Sequence, residues 1–364
     1  MNMIPISKPI ISQDEIDKVV NVLKSGFLTC GETVKNFEKQ FSKYCNSDYA
    51  IAISSGTAAL HVSLLSLNIG KDDEVITSPF SFISSSNCIL FLGAKPVFVD
   101  INPNTFNINP VLIEEKITKK TKAILPIHLY GQPSDMDPIL EIAKNHDLFV
   151  IEDACQAHGA EYKGKKIGSI SDITCFSFYA TKNMTTGEGG MLTTNHDKIY
   201  SKSMKLRDHG QKGRYYHDEL GFNFRMTNIQ AAIGIGQLKK LDKRNEKRIQ
   251  NAHFLTEKLE SVDGLVTPFI DKNVKHVFHQ YTIRVKKMKN IKLSEKLMKM
   301  GIQTKIYYPI PIHKQILYQK LGFKDNLPES EKAANEVLSL PVHPNLSQED
   351  LDFIVKKVKE CLKC

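Results

Sequence analysis

Between residues 49 and 194 the chain alternates short, almost unbroken apolar runs with stretches of helical spacing. The runs are "YAIAIS" (49–54), "EVITS" (74–78), "KPVFVD" (95–100), "KAILPIHL" (122–129), "LFVIED" (148–153), "ITCFSF" (173–178) and "GMLTT" (190–194). A strand that is apolar on both faces must be covered on both. The pattern therefore predicts an α/β fold, a mainly parallel or mixed sheet between helices. The intervening segments agree: "GTAALHVSLLSLNIG" (56–70) has helical spacing and a closing glycine, and a helix is expected over about 136–146.

A long helical stretch is expected from 226 to about 261, "MTNIQAAIGIGQLKKLDKRNEKRIQNAHFLTEKLES", joining two units. A length of 364 residues suits two domains. The expected division is a large domain over 1–245 and a smaller α+β domain over 246–364. The second has a strand at "QYTIRV" (280–285), helices near 294–300 and 329–338, and a final helix after 347.

Hydrophobic residues make up 41% and charged residues 24%, an ordinary globular composition. No apolar run approaches the ~20 residues of a membrane span. The opening "MNMIPISKPIISQDE" lacks the charged-then-apolar pattern of a secretory signal, so the cytoplasm is the expected location. Seven scattered cysteines give no disulfide framework. Cys361 and Cys364 form a lone C-x-x-C without the second pair of a zinc site, and no metal is expected. The net charge of +9 is concentrated in "KKLDKRNEKR" (239–248) and "RVKKMKNIK" (284–292). Such stretches are solvated faces or attract a phosphate-bearing substrate. Without finger spacing or RNP-like aromatics, nucleic acid is not an expected partner.

Open α/β sheets bind ligands at the carboxyl ends of their strands. "ISSGTAAL" (53–60) is a strand, a turn and a helix start. Ser55 fits a helix cap there, and the amides of Gly56 and Thr57 fit a phosphate site. No Gly-Lys-Ser/Thr follows, which excludes a Walker loop. Asp153 ends "LFVIED" and is either structural or a ligand partner. Gln156 can hydrogen-bond a ligand, whereas His158 reads as a satisfied internal histidine. In "FSFYATKNMTTGEGGM" (176–191), Ser177 and Lys182 follow one strand. Lys182 is a surface lysine or, if desolvated, a nucleophilic amine.

An anion site, a carboxylate and an amine at successive strand ends match the needs of pyridoxal phosphate. That cofactor takes a phosphate cradle, a lysine for its aldehyde and an acid for its ring nitrogen. NAD would need G-x-G-x-x-G after the first strand, which is missing. The G-x-G at Gly234 and Gly236 lies in a helical pattern and reads as packing.

Ordered motifs along nearly the whole chain carry a family resemblance. They are "SGFLTCGETVKNFEKQF" (25–41), "SSGTAALH" (54–61), "PVFVDINPNTFNIN" (96–109), "PIHLYGQPSDMDPI" (126–139), "VIEDACQAHGA" (150–160), "CFSFYATKNMTTGEGGM" (175–191), "GFNFRMTNIQAAIGIGQL" (221–238), "YYPIPIHKQ" (307–315) and "LSLPVHPNLSQED" (338–350). The chain resembles the DegT/DnrJ/EryC1/StrS pyridoxal-phosphate sugar aminotransferases, of aspartate-aminotransferase fold type I.

The resemblance implies that Lys182 holds the cofactor aldehyde and Asp153 pairs with the ring nitrogen. Gln156 contacts the side of the ring that bears its 3-oxygen. Gly56, Thr57 and Ser177 hold the phosphate, and Phe82 stacks on the ring. Asn223 reaches the phosphate in the partner subunit, which implies a homodimer with shared sites. Arg225, Tyr308 and His313 line a sugar-nucleotide pocket. Ser81 stands where threonine is usual, and Lys182 is present where dehydrating relatives carry histidine. The implied reaction moves an amino group from glutamate or glutamine to C3 or C4 of a nucleotide-linked keto sugar. The product is an amino sugar for surface glycan, lipopolysaccharide or antibiotic sugars. A keto-inositol acceptor, or a regulatory protein that kept the fold without the chemistry, are the alternatives. Glu188 falls in the glycine turn with no role assigned.

Overall fold

The computed structural model describes residues 3–363. Seven strands form the main sheet: β1 (Tyr49–Ile53), β2 (Glu74–Thr77), β3 (Lys95–Phe98), β4 (Thr121–Leu125), β5 (Phe149–Asp153), β6 (Ile173–Ser177) and β7 (Gly190–Thr194). Their spatial order is β1-β7-β6-β5-β4-β2-β3. Only β7 runs against its neighbours; the pairs β2/β3, β2/β4, β4/β5 and β5/β6 are parallel.

Alternate residues of each strand enter two separate cores, which explains the unbroken apolar runs. Ile76, Ile124, Val150 and Phe176 face one core with Phe37, Phe41 and Phe178. Val75, Leu125, Ile151 and Cys175 face the other with Leu60, Val62 and Leu64 of the helix Gly56–Ser66. A third core belongs to a smaller antiparallel sheet of Leu265–Val266, Tyr281–Val285 and Val337–Leu340. It is covered by the helices Leu241–Leu259, Asn290–Lys299 and Gln348–Lys363. Ile4 also enters this core and bridges to Ile302.

The structure departs from the expected elements in two places. The long helix over 226–261 is two helices, Asn228–Leu238 and Leu241–Leu259, broken at Lys239–Lys240. The first begins at a Thr227–Gln230 capping box. Near the break, Lys240 pairs with the buried Glu15 at 2.8 Å. The expected division at 245 falls inside the second helix. The helix near 329–338 is Pro328–Glu336, followed at once by the strand Val337–Leu340. The G-x-G is a packing feature. A Cβ on Gly234 would lie 2.6 Å from the Phe37 ring, and one on Gly236 would lie 2.6 Å from Glu15 Cγ.

Among the described residues, no helix is long and apolar enough to cross a membrane, and no cluster of His, Cys, Asp or Glu suits a metal ion. Cys361 is buried with its sulfur 3.8 Å from Met300 Sδ, and Cys364 lies outside the described residues.

Candidate active site

The carboxyl ends of β1, β2, β5 and β6 surround a cavity of about 700 Å³. Gly56, Thr57, Phe82, Asp153, Gln156, Ser177, Lys182 and Tyr308 all line it. Eight of the eleven site residues read from the sequence therefore meet in one place.

At the end of β1, Ser55 caps the helix Gly56–Ser66 by accepting from the Ala58 amide at 3.1 Å. The two readings of this turn are compatible. The cap satisfies one first-turn amide, and those of Gly56 and Thr57 have no intrahelical acceptor. Gly56 packs so closely on β6 that a Cβ there would lie 2.7 Å from Ser177 Cβ. Backbone amides, the helix dipole and the Ser177 hydroxyl thus converge on one side of the cavity.

Asp153 ends β5 and is 6% exposed. Its Oδ1 accepts from the Cys155 amide at 3.1 Å, and its Oδ2 accepts from Ser85 Oγ at 2.7 Å. It has no ion-pair partner within 4.0 Å among the described residues, and its charge acts on Lys182 in the same cavity. Gln156 Oε1 accepts from the Tyr130 amide at 2.9 Å, and its Nε2 donates to the Tyr308 hydroxyl at 3.2 Å. Burial pushes the Tyr308 phenol up.

Lys182 leaves β6 in a loop that folds back on itself. Its amide donates to Tyr179 O at 2.9 Å, while Phe178 exchanges main-chain bonds with Gly189 and Thr186. Gly187 and Gly189 hold φ of 83° and 153°, conformations that favour glycine in this return. Burial lowers the Lys182 ammonium below its ordinary pKa, against the opposing pull of Cys155 and Asp153.

Three expected residues lie outside this cavity. Asn223 is exposed, bridged through its backbone to Asp208. Arg225 forms an ion pair with Asp208. His313 is a correction to the expected pocket wall. It is 1% exposed, its Nε2 meets Glu331 at 3.2 Å, and its ring packs 6.4 Å from that of Phe98. Its short helix is pinned at Ile312, whose amide donates to Pro79 O, and this turns the ring into an apolar cluster. His158 is internal, as expected, buried between the Phe176 and Phe178 rings.

Other lining residues went unread in the sequence: Ser84, Ser85, Tyr179, His279, Gln280 and Tyr307. The serine run "SPFSFISSSN" was the available signal, since hydroxyls clustered after a strand serve a polar site. His279 and Gln280 precede a strand of the small sheet, where nothing local marks them. His279 Nδ1 donates to Asn183 Oδ1 at 3.2 Å, because Asn183 Nδ2 is committed to Val277 O at 3.0 Å. Burial, with the nearby Lys182 charge, holds His279 neutral. Glu188 stands at the cavity wall, with its carbonyl accepting from Gln230 Nε2 at 2.8 Å.

Comparison with known proteins follows the same lines. Residues 9–359 match the DegT/DnrJ/EryC1/StrS aminotransferase family. A GDP-perosamine synthase of Caulobacter vibrioides is 40% identical over 366 residues, covering 99% of this chain and 98% of that protein. A "pleiotropic regulatory protein" of Geobacillus stearothermophilus is 44% identical over 351 residues, covering 95% and 94%. The crystal structure of NtdA from Bacillus subtilis, with bound cofactor PMP, superposes with a TM-score of 0.93 at 36% identity, covering 100% of this chain and 86% of that one. With its strand-end cavity and a match over nearly its full length, the chain belongs to the DegT/DnrJ/EryC1/StrS aminotransferase family.

Proposed function

We propose that this protein is a pyridoxal-phosphate aminotransferase that carries an amino group from glutamate, or glutamine, to a nucleotide-linked keto sugar. The observation that carries this reading is the meeting of Lys182, its charge destabilised by burial, with the buried carboxylate of Asp153 in one cavity. The donor set fits the cofactor: first-turn amides and a hydroxyl for a phosphate, a buried carboxylate for a protonated ring nitrogen, and an amine for an aldehyde. Bound there, pyridoxal phosphate supplies the aldehyde and an electron-withdrawing ring.

The chain's own residues do the rest. Desolvation raises the neutral fraction of Lys182, which would let its Nζ act as the nucleophile and later as the base that takes a proton from the amine-bearing carbon of the donor and returns one to the acceptor sugar carbon. Asp153 holds a proton at the ring nitrogen. Gly56, Thr57 and Ser177 bind the phosphate. Phe82, 57% exposed at the cavity, offers a face for stacking, and Gln156 and Tyr308 offer hydrogen bonds. The two half-reactions share one site, which gives ping-pong kinetics.

The proposal extends to a homodimer. Phe27, Tyr215, Tyr216 and Leu220 are 76–86% exposed, too apolar a set for a free surface. Asn228 Nδ2 donates to Phe27 O at 2.8 Å, which places Phe27 beside the segment of Asn223 and Arg225. A second copy covering this face would bring Asn223 and Arg225 of the partner subunit to the cavity. Location in the cytoplasm and a large domain over 1–245 belong to the same proposal.

The test is a screen of GDP-, UDP- and dTDP-linked keto sugars with glutamate, read by mass spectrometry. Amination of one of them supports the reading. Wild-type protein that takes up no pyridoxal phosphate sinks it, and a cofactor-binding protein that turns over no sugar points to the regulatory alternative.

A further inference from the structure

We propose that Ser85 is a positioning residue that aims the Asp153 carboxylate into the cavity. The proposal rests on the cofactor reading above. Ser85 is 1% exposed and Asp153 6%, so the 2.7 Å bond between Ser85 Oγ and Asp153 Oδ2 is sheltered from water. Ser85 Oγ also reaches the Phe82 carbonyl at 3.2 Å, but the shorter bond to a charged acceptor is the stronger, so its single proton goes to Asp153. Ser81 Oγ lies 3.0 Å from Ser85 Oγ and must therefore be the donor in that pair. The relay has one direction: Ser81 to Ser85 to Asp153.

This relay does what the backbone cannot do alone. The Cys155 amide holds Oδ1 at 3.1 Å, but a carboxylate held at one oxygen is free to turn about its broad χ2 well. The second anchor, on Oδ2, fixes its plane. The carboxylate so anchored lines the cavity. Ser81 and Phe82 are neighbours on one loop. That loop would thus offer an aromatic face to a bound cofactor and, through Ser81 and Ser85, supports the anchor on Asp153.

The experiment is a double-mutant cycle on the full-length protein, read as the dissociation constant for pyridoxal phosphate. Ser85→Ala is made in the wild-type and Asp153→Ala backgrounds. Lys182 is present in both, so cofactor uptake remains measurable. A hydrogen bond to a charged group is worth roughly a tenfold to hundredfold effect. Ser85→Ala is therefore expected to weaken binding by about tenfold or more in the wild-type background, and by less than about twofold without Asp153. Ser85→Cys keeps the volume with a weak donor and is expected to behave like alanine. Denaturant unfolding of the cofactor-free protein should also lose more in the wild-type background, where the Ser85–Asp153 bond exists, so affinity is read only under conditions in which every variant is folded. An equal loss of cofactor affinity in both backgrounds overturns the positioning role alone. No uptake by the wild type overturns the cofactor reading as well.

Discussion

Gln156 and Tyr308 join the two units of the chain across the cavity, the amide Nε2 donating to the phenol oxygen at 3.2 Å. The same glutamine caps the buried Tyr130 amide at 2.9 Å. These two bonds differ in what their loss leaves behind. Removing the phenol oxygen leaves Gln156 Nε2 at a cavity that water enters. Removing the glutamine leaves a buried amide with no acceptor.

Tyr308→Phe is therefore expected to lower stability by about 1 kcal/mol or less, and Gln156→Ala by about 1–3 kcal/mol. Urea unfolding of the cofactor-free protein checks the ranking. Equal losses would mean that Tyr130 finds another acceptor.

Lys182 links the site to pH. Its folded pKa is lowered from 10.5 by burial. Below the folded value both states carry the charge, and the native state bears the cost of burying it. As pH rises through the folded value toward 10.5, the native lysine loses its proton first and that cost disappears. Lys182→Met should thus stabilise the cofactor-free protein at neutral pH, with a gain that shrinks as pH rises toward 10.5. Paired denaturation curves at pH 7 and pH 9.5 test this; a gain that grows with pH contradicts it. The same variant should lose the visible absorbance of bound cofactor and roughly a thousandfold or more of turnover.

Gly56 tests the phosphate side. A Cβ there would meet Ser177 Cβ at 2.7 Å and Cys155 Sγ at 2.9 Å. Gly56→Ala must push Ser177 away from the helix start, at an overpacking cost of about 1–3 kcal/mol. The expected result is a folded protein whose affinity for pyridoxal phosphate and for inorganic phosphate falls together. Unchanged affinity for both would place the anion elsewhere.

Much of the sheet and of the strand-end site was legible because burial on both faces writes itself into a strand. "LFVIED" could only be an internal strand, and the rule of carboxyl-end ligand sites then singled out Asp153. Ser177 and Lys182 followed from the same rule. What stayed hidden depends on long-range packing. The strand Val337–Leu340 follows a helix without a turn signal, so the apolar run continues one period into another. The break at Lys239–Lys240 contains neither glycine nor proline. His313 carries a motif that points at the pocket, yet Phe98 and Glu331 claim its ring. Ser85 was one hydroxyl among several until Asp153 lay 2.7 Å away.

The last prediction concerns the second copy. Asn223 is exposed and does not line its own chain's cavity, whereas Lys182 does. If each site takes Lys182 from one subunit and Asn223 from the other, Lys182→Ala and Asn223→Ala damage the same site through different chains. A mixed dimer then carries one doubly damaged site and one intact site. Each variant alone should be strongly impaired. Co-expression of the two should recover roughly a quarter of wild-type activity, since half of the dimers are mixed and each has one good site. Sedimentation of the purified protein should give twice the mass of one chain. A monomer, or no recovery on co-expression, would confine Asn223 to its own subunit and remove the shared site.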